Sequence, residues 1–195
     1  IEKISHFVLY EACRQNKEWQ DRELPKILMS INFTSNDFYQ KDVRETVCNA
    51  LVKTGLPSDW LEIELTESMA MKDIDTAVEQ MNSLRKMGIK LAMDDFGTGY
   101  SSLGLFKEVP ADIVKIDKTF VKNIKNVDNQ FDTTFIRFTV EMCHSVGILV
   151  CLEGVEELEE YNIVSSMHLD LIQGYLFGKP EDEDTFYNNH LKAFA

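Results

Sequence analysis

Short apolar runs alternate with longer amphipathic runs along most of the chain. The short runs are typical of β-strands, and the longer ones repeat apolar residues at the three-to-four spacing of an α-helix. The pattern predicts strands over 27–33, 61–65, 89–93, 113–116, 148–152 and 171–177. It predicts helices over 1–20, 40–54, 73–87, 130–146, 155–167 and 182–193, with a helical turn over 101–106.

The first helix and the helix ends carry further signals. Over 1–20 the apolar residues Ile1, Ile4, Val8, Ala12 and Trp19 have helical spacing, so we expect them to form its buried face. Glycines that follow helical runs and precede strands are typical of helix C-termini, and they are Gly55, Gly88 and Gly147. Strands alternating with helices predict βα units around a parallel sheet, in a single α/β domain spanning 1–195.

Polar residues stand in or just after each predicted strand. They are Asn32, Glu62, Glu64, Asp94, Asp95, Lys115, Glu153 and Gln173. Because ligands bind at the carboxyl ends of strands in α/β barrels and open α/β sheets, we expect these residues to gather at one end. Taken singly, each has a structural alternative. Asp94 and Asp95 could form only a turn, Glu64 could face solvent on an edge strand, and the Lys115 stem could extend along a barrel interior.

Composition narrows the classes of function. The net charge of −13 argues against non-specific binding to duplex nucleic acid, which needs a basic surface. No run approaches the ~20 apolar residues of a membrane span. The four cysteines have no C-x-x-C or zinc-type spacing, which favours reduced core residues. No signal peptide is visible at the N-terminus. Because the chain begins with Ile1, we expect it to be a fragment of a longer protein or a processed product.

The candidate ligands are hard oxygen donors. Carboxylates and an amide, with no histidine or cysteine at the strand ends, favour Mg²⁺ or Mn²⁺ over Zn²⁺. Adjacent carboxylates at Asp94 and Asp95 suit two ions with one bridging ligand. Such a pair of ions is used for in-line displacement at phosphorus. The residues therefore indicate a metal-dependent phosphoryl chemistry.

Five ordered motifs resemble those of the EAL domains, which are bacterial cyclic-di-GMP phosphodiesterases. The motifs are Glu64-Leu65-Thr66-Glu67-Ser68, Asp94-Asp95-Phe96-Gly97-Thr98-Gly99-Tyr100-Ser101-Ser102-Leu103, Lys115-Ile116-Asp117, Glu153-Gly154-Val155-Glu156 and Gln173-Gly174-Tyr175-Leu176-Phe177. They follow the family's order and spacing, and the resemblance extends from the first helix to about Pro180.

The resemblance implies a (β/α)₈ barrel of the TIM type that hydrolyses one phosphodiester of cyclic-di-GMP to linear pGpG with two ions of Mg²⁺ or Mn²⁺. It implies that Asn32, Glu64 and Asp94 bind one ion. The second ion would be bound by Asp94 and Asp95, with Asp94 bridging the two.

The resemblance also assigns roles around the metals. It implies that Lys115 orients or polarises the attacking water, that Glu153 lies at the second metal site as a possible general base, and that Gln173 holds the water network. Glu67 would anchor the Asp-Phe-Gly loop. The substrate contacts that it implies are Thr34, Asp117, Glu156, Phe177 and Pro180.

Two departures from the family pattern bear on activity. Phe33-Thr34 follows Asn32 where Leu-Ser is usual, and the Glu-Ala-Leu motif, whose glutamate is a further ligand of the first metal, is not in the chain. The predicted barrel is therefore N-terminally incomplete. We expect residues 1–195 alone to hydrolyse slowly and to associate through exposed sheet edges. The alternative function is a non-catalytic module that binds cyclic-di-GMP.

Partners follow from the same resemblance. It implies cyclic-di-GMP as ligand and a homodimer as assembly. Diguanylate-cyclase or sensory domains often accompany such a domain in the same protein. We expect a bacterial, cytoplasmic location with no membrane contact by this domain, although a longer parent protein could be anchored in a membrane.

Overall fold

The computed structural model describes residues 2–40, 42–99, 108–126 and 130–194. Its helices are α1 (Glu2–Asp21), α2 (Ser35–Phe38), α3 (Val43–Thr54), α4 (Glu67–Lys72), α5 (Ile74–Arg85), α6 (Gln130–Ser145), α7 (Leu158–Val164) and α8 (Glu183–Phe186). Its strands are β1 (Met29–Asn32), β2 (Leu61–Thr66), β3 (Lys90–Phe96), β4 (Ile113–Ile116), β5 (Leu149–Leu152) and β6 (Leu171–Ile172). The helical turn predicted over 101–106 lies outside the described residues.

Two compact units make up the chain. The first comprises Ile1–Leu65, Met69–Leu91 and Pro180–Ala195. In it, β1 runs parallel to β2, with a register from Met29 opposite Leu61 to Asn32 opposite Glu64. The alternating side chains Leu61, Ile63 and Leu65 of β2 are fully buried, and Glu62 and Glu64 between them are buried as well. This strand is therefore covered on both faces, as is typical of a parallel sheet between helices.

The buried face of α1 differs in part from the predicted one. The structure buries Leu9, Cys13, Asn16 and Trp19, while Ile4 is 66% exposed and Val8 is 46% exposed. Asn16 explains part of the difference, because its amide donates to the carbonyl oxygens of Ile27 (2.9 Å) and Trp60 (3.1 Å). A polar residue that caps two loop carbonyls thus occupies a position on the packed face.

The second unit comprises Thr66–Ser68 and Ala92–Lys179. Its strands β3, β4, β5 and β6 pair in parallel in sequence order. β4 is buried along its whole length, and α6 packs on β5. The β3–β4 register shifts between Met93 and Phe96, so the backbone is irregular at Asp94 and Asp95. This irregularity falls where the sequence places its paired carboxylates.

Several element boundaries differ from the predicted ones. β3 continues through Asp94 and Asp95 to Phe96, whereas β6 ends at Ile172 instead of 177. The last predicted helix is divided into α8, a π-helical turn over Tyr187–Leu191 and a 3₁₀ turn over Lys192–Phe194. The α/β class with a parallel sheet is confirmed. Within the described residues, no helix is both long and apolar enough to cross a bilayer.

Candidate functional site

In the first unit, Asn32 and Glu64 are direct neighbours across the β1–β2 pair. Both stand near the carboxyl ends of their strands. The Asn32 side chain is exposed, while Glu64 is only 6% exposed. The N–H of Phe33 donates to the Glu64 carbonyl at 3.0 Å, which holds the two strand ends together. An amide and a carboxylate therefore lie side by side near the carboxyl ends of two neighbouring strands.

In the second unit, Asp94 and Asp95 form a tight turn at the end of β3. The N–H of Asp95 donates to Asp94 Oδ1 at 2.9 Å, and the Thr98 hydroxyl donates to the Asp95 carbonyl at 2.8 Å. Asp95 has a φ of 55°, which is a left-handed conformation that costs a non-glycine residue roughly 1–2 kcal/mol. The surrounding structure therefore holds Asp95 in a backbone conformation that it would rarely adopt by itself.

Negative charge accumulates around this turn. Burial raises the pKa of the Asp95 carboxyl, and the charges of Asp94 and Asp117 raise it further. The ammonium groups of Lys115 and Lys118 act in the opposite direction without cancelling the effect. The local field therefore favours a bound cation or a proton.

Lys115 and Glu153 form a buried ion pair at the next strand ends. Lys115 Nζ lies 2.7 Å from Glu153 Oε1, and the two side chains are 6% and 19% exposed. Lys115 comes from β4, and Glu153 directly follows β5, where its N–H donates to the Ile116 carbonyl at 3.0 Å. A buried lysine keeps its charge when a carboxylate compensates it, so the pair presents a fixed ammonium group at this edge.

Glu67 contacts the loop that follows Asp95. It is 3% exposed, and its Oε2 accepts the N–H of Gly97 at 3.3 Å. A β-carbon at Gly99 would lie 2.9 Å from Glu67 Oε1, so the loop backbone passes closely over this carboxylate. The contact is the kind of support that the resemblance implies for Glu67.

Glycines behind Glu153 and Gln173 let the strand ends pack closely. A β-carbon at Gly154 would lie 2.2 Å from the Lys118 β-carbon, and one at Gly174 would lie 2.0 Å from the Val155 carbonyl oxygen. Both glycines lie within motifs that resemble the family's, but no role could be predicted for them from the sequence. Their signal is their position directly after a candidate polar residue at a strand end.

Three of the implied substrate contacts serve local structure. The Thr34 hydroxyl donates to Asp37 in the capping box of α2. Asp117 accepts the Thr119 N–H at 2.9 Å and caps the 3₁₀ turn over Lys118–Phe120. The N–H of Glu156 donates to Glu160 Oε2 at 2.9 Å, and its own side chain is exposed.

The remaining implied contacts are exposed. Pro180 lies on the surface, and Phe177 is 51% exposed. Gln173, for which the resemblance implies a hold on the water network, is exposed as well. The Phe177 ring meets the Tyr161 ring edge-on, with centroids 5.9 Å apart. An exposed aromatic face supported from behind is suited to stacking on a planar ligand.

The donors at these strand ends fit a hard divalent cation in their chemistry. They are carboxylates on a turn where burial and the neighbouring carboxylates Asp94 and Asp117 raise the pKa of Asp95. As the side chains stand, no three His, Cys, Asp or Glu residues of the described ranges are arranged around one metal position. These residues therefore match a divalent metal in the chemistry of their donor atoms, but not in their arrangement.

A pocket of about 520 Å³ lies elsewhere, in the first unit. It is bounded by α1, the residues leading into β1 and α8, and Trp19 stacks on Phe186 at 5.4 Å in its wall. None of the predicted site residues lines it. A search for a site by pocket volume alone would therefore select this pocket and not the polar strand ends.

Comparison with known proteins gives a family and a fold. The EAL domain family model matches residues 1–180. The bifunctional diguanylate cyclase/cyclic di-GMP phosphodiesterase MucR of Pseudomonas aeruginosa is 32% identical over 180 residues. That match covers 92% of this chain and 26% of MucR, so the chain spans about a quarter of the length of this curated relative.

Solved structures agree with that match. The chain is similar to a PaMucR phosphodiesterase in complex with c-di-GMP, with a TM-score of 0.89 and 31% identity over 94% of this chain and 74% of that one. Klebsiella pneumoniae BlrP1, solved as a manganese/cy-diGMP complex, has a TM-score of 0.82 and 29% identity over 92% and 44% of the two chains. The TIM-barrel-like fold class is therefore confirmed, and the described residues contribute six parallel strands to it. This chain belongs to the EAL domain family.

Proposed function

We propose that this domain is a metal-dependent phosphodiesterase that hydrolyses cyclic-di-GMP to linear pGpG. The observation that carries the proposal is the buried Lys115–Glu153 pair, 2.7 Å apart, on the strands that follow the Asp94–Asp95 turn. It combines a fixed cation, a carboxylate and a cation-attracting turn within one unit of the chain. Membership of a family that includes cyclic-di-GMP phosphodiesterases supports the same reaction.

The residues that would hold metal are those that the sequence selects. Asn32, Glu64 and Asp94 would bind one Mg²⁺ or Mn²⁺, and Asp94 and Asp95 would bind a second. Bound divalent ions would stabilise charge on the phosphate oxygens and lower the pKa of a bound water. BlrP1, which has been solved with manganese and the dinucleotide, supports this choice of ion.

The chain's own groups then act on the phosphodiester. The Lys115 ammonium group, held by Glu153, faces the developing negative charge and orients the attacking water. Glu153 accepts a proton from that water as general base. The bond from phosphorus to the ribose 3′-oxygen breaks, and that oxygen leaves as a hydroxyl after taking up a proton. The exposed Gln173 amide hydrogen-bonds the water network.

Substrate contacts and context belong to the same proposal. Phe177 would stack on a guanine base, and Thr34, Asp117, Glu156 and Pro180 would line the rest of the dinucleotide site. The domain would work as a homodimer in the bacterial cytoplasm as part of one longer signalling protein. The domain combination named for MucR supports that last point.

The test compares pGpG production by the wild type and by Asp94→Asn, with Asp75→Asn as the matched control. Asp75 is an exposed carboxylate on α5, so its loss should leave the rate unchanged. Asp94→Asn weakens both proposed metal positions and should lower the rate about 100-fold or more. Full activity in Asp94→Asn would contradict the two-metal proposal. Tight binding of cyclic-di-GMP by the wild type without hydrolysis would establish the non-catalytic alternative instead.

A further inference from the structure

We propose that Phe135, stacked on Phe120, is a positioning residue for the Asp94–Asp95 turn. It would act by filling the space behind Gly97 and so fixing the backbone that presents the two carboxylates. The catalytic consequence rests on the proposed function, whereas the mechanical coupling between Phe135 and the turn does not.

The rings of Phe120 and Phe135 leave no room for a β-carbon at Gly97. A β-carbon at Gly97 would lie 2.6 Å from Phe135 Cζ and 2.8 Å from both Cε2 and Cζ of Phe120. Gly97 has a φ of 94°, a left-handed conformation that glycine adopts freely. The backbone here is thus shaped to fit against the rings, and no side chain separates them.

The rings themselves form a rigid stack. The centroids of Phe120 and Phe135 are 4.1 Å apart with planes inclined by 10°, and Phe96 lies 6.3 Å from Phe135. Phe120 belongs to the 3₁₀ turn after Asp117, and Phe135 lies on α6. The stack therefore joins α6 and the end of β4 to the last residue of β3.

This support reaches the carboxylates through two residues of backbone. Gly97 donates its N–H to Glu67, and Asp95, two residues earlier, holds a strained φ of 55°. Strained residues persist only where the surroundings hold them in place. Loosening the contact behind Gly97 should let Asp95 relax and move its carboxylate relative to Asp94.

The sharpest variant is Phe135→Tyr. Tyrosine keeps the ring and its apolar faces but adds a hydroxyl at Cζ, the ring atom that approaches Gly97 most closely. The matched control is Phe138→Tyr on the same helix, where the ring is 51% exposed. Phe135→Leu is a second variant that removes the ring without adding a polar group.

Once thermal unfolding has shown that Phe135→Tyr is folded, three readouts separate a positioning role from a core-packing role. Hydrogen exchange at the amides of residues 96–99 should quicken about ten-fold in Phe135→Tyr and Phe135→Leu and stay unchanged in Phe138→Tyr. Mn²⁺ affinity should fall about ten- to a hundred-fold. The kcat for cyclic-di-GMP should fall about ten-fold while KM changes little, because the phosphate chemistry is affected more than binding.

Wild-type exchange and Mn²⁺ affinity in a folded Phe135→Tyr would overturn the inference, since Phe135 would then be only a packing residue. If Phe135→Tyr does not fold, the same comparison with Phe135→Leu decides. The hydrogen-exchange measurement needs neither metal nor substrate. Faster exchange in a protein whose wild type fails to hydrolyse cyclic-di-GMP would therefore uphold the positioning role while refuting the proposed function.

Discussion

Gly154 and Gly147 share a backbone φ of 77° but have different surroundings. A methyl group at Gly154 would overlap the Lys118 side chain at 2.2 Å, whereas one at Gly147 would meet nothing within 4 Å. We expect Gly147→Ala to lower the free energy of unfolding by about 1–2 kcal/mol through backbone strain alone. Gly154→Ala should lower the free energy of unfolding by about 1–3 kcal/mol more than Gly147→Ala, because its methyl group also overlaps the Lys118 side chain.

Urea unfolding of the two variants measures this difference, and the pair controls for the backbone conformation. Equal losses would mean that the Lys118 side chain moves aside freely. Gly154→Ala should also lower pGpG production, because Gly154 directly follows Glu153. Gly147→Ala should not, since it lies in the turn before β5.

At the residue scale, the sequence identifies the polar chemistry but misses its packing. Asn32, Glu64 and Asp94 can be selected because each is a polar residue in or directly after an apolar, strand-like run. The contacts of Glu67 with Gly97, and of Phe120 with Phe135, join residues far apart in sequence. No local propensity encodes such contacts, so only the folded chain shows them.

The end of α6 is joined to β5 and β6 by one carboxylate. Asp170 accepts from His144 Nε2 at 2.8 Å and from the Val150 N–H at 2.7 Å. Burial would raise the pKa of Asp170, but these two hydrogen bonds outweigh burial and hold it below its usual range. The ionised carboxylate is therefore the form that the folded state prefers.

The depressed pKa fixes the sign of the pH dependence. This contribution is fully present above the unfolded-state pKa of about 3.9 and is lost as pH falls through the lower folded-state value. Asp170→Asn should lower the free energy of unfolding by about 1 kcal/mol at pH 7 and flatten its fall below about pH 4. Urea unfolding from pH 3 to pH 7 measures both. An unchanged acid slope in Asp170→Asn would show that other carboxylates control it.

At the element scale, the α/β order could be predicted, but the ends of several elements could not. The run 171–177 is as apolar as a strand, yet β6 ends at Ile172. Directly after it, the Gln173 N–H still donates to the Leu152 carbonyl of β5 at 2.9 Å. The backbone then turns onto Val155, whose N–H donates to the Gln173 carbonyl and whose carbonyl accepts the Leu176 N–H, each at 3.1 Å. Tyr175 and Phe177 are then about half exposed, so these apolar residues do not belong to a core strand.

The cysteines report on the folding of the whole molecule. Cys13, Cys143 and Cys151 are buried, and Cys48 is exposed. Burial raises the pKa of Cys13 to about 11, and burial together with the charge of Asp170 raises that of Cys143 to about 12. Because the thiolate is the reactive form, we expect a disulfide reagent at pH 8 to label one thiol per folded chain and all four in urea.

Cys48→Ser should abolish labelling of the folded chain and lower the number of thiols labelled in urea from four to three. Rapid labelling of a second thiol in the folded protein would show that one of the two units opens under native conditions. Because Cys13 belongs to the first unit and Cys143 and Cys151 to the second, the labelled residue identifies which one.

The most direct test of the account follows the bond that it claims is broken. The full-length protein is incubated with cyclic-di-GMP and Mg²⁺ or Mn²⁺ in ¹⁸O-labelled water, and the product is analysed by mass spectrometry. Because water attacks phosphorus, we predict linear pGpG that carries a single ¹⁸O atom on its terminal phosphate. Unchanged cyclic-di-GMP, recovered from a protein that demonstrably binds it, would contradict the account.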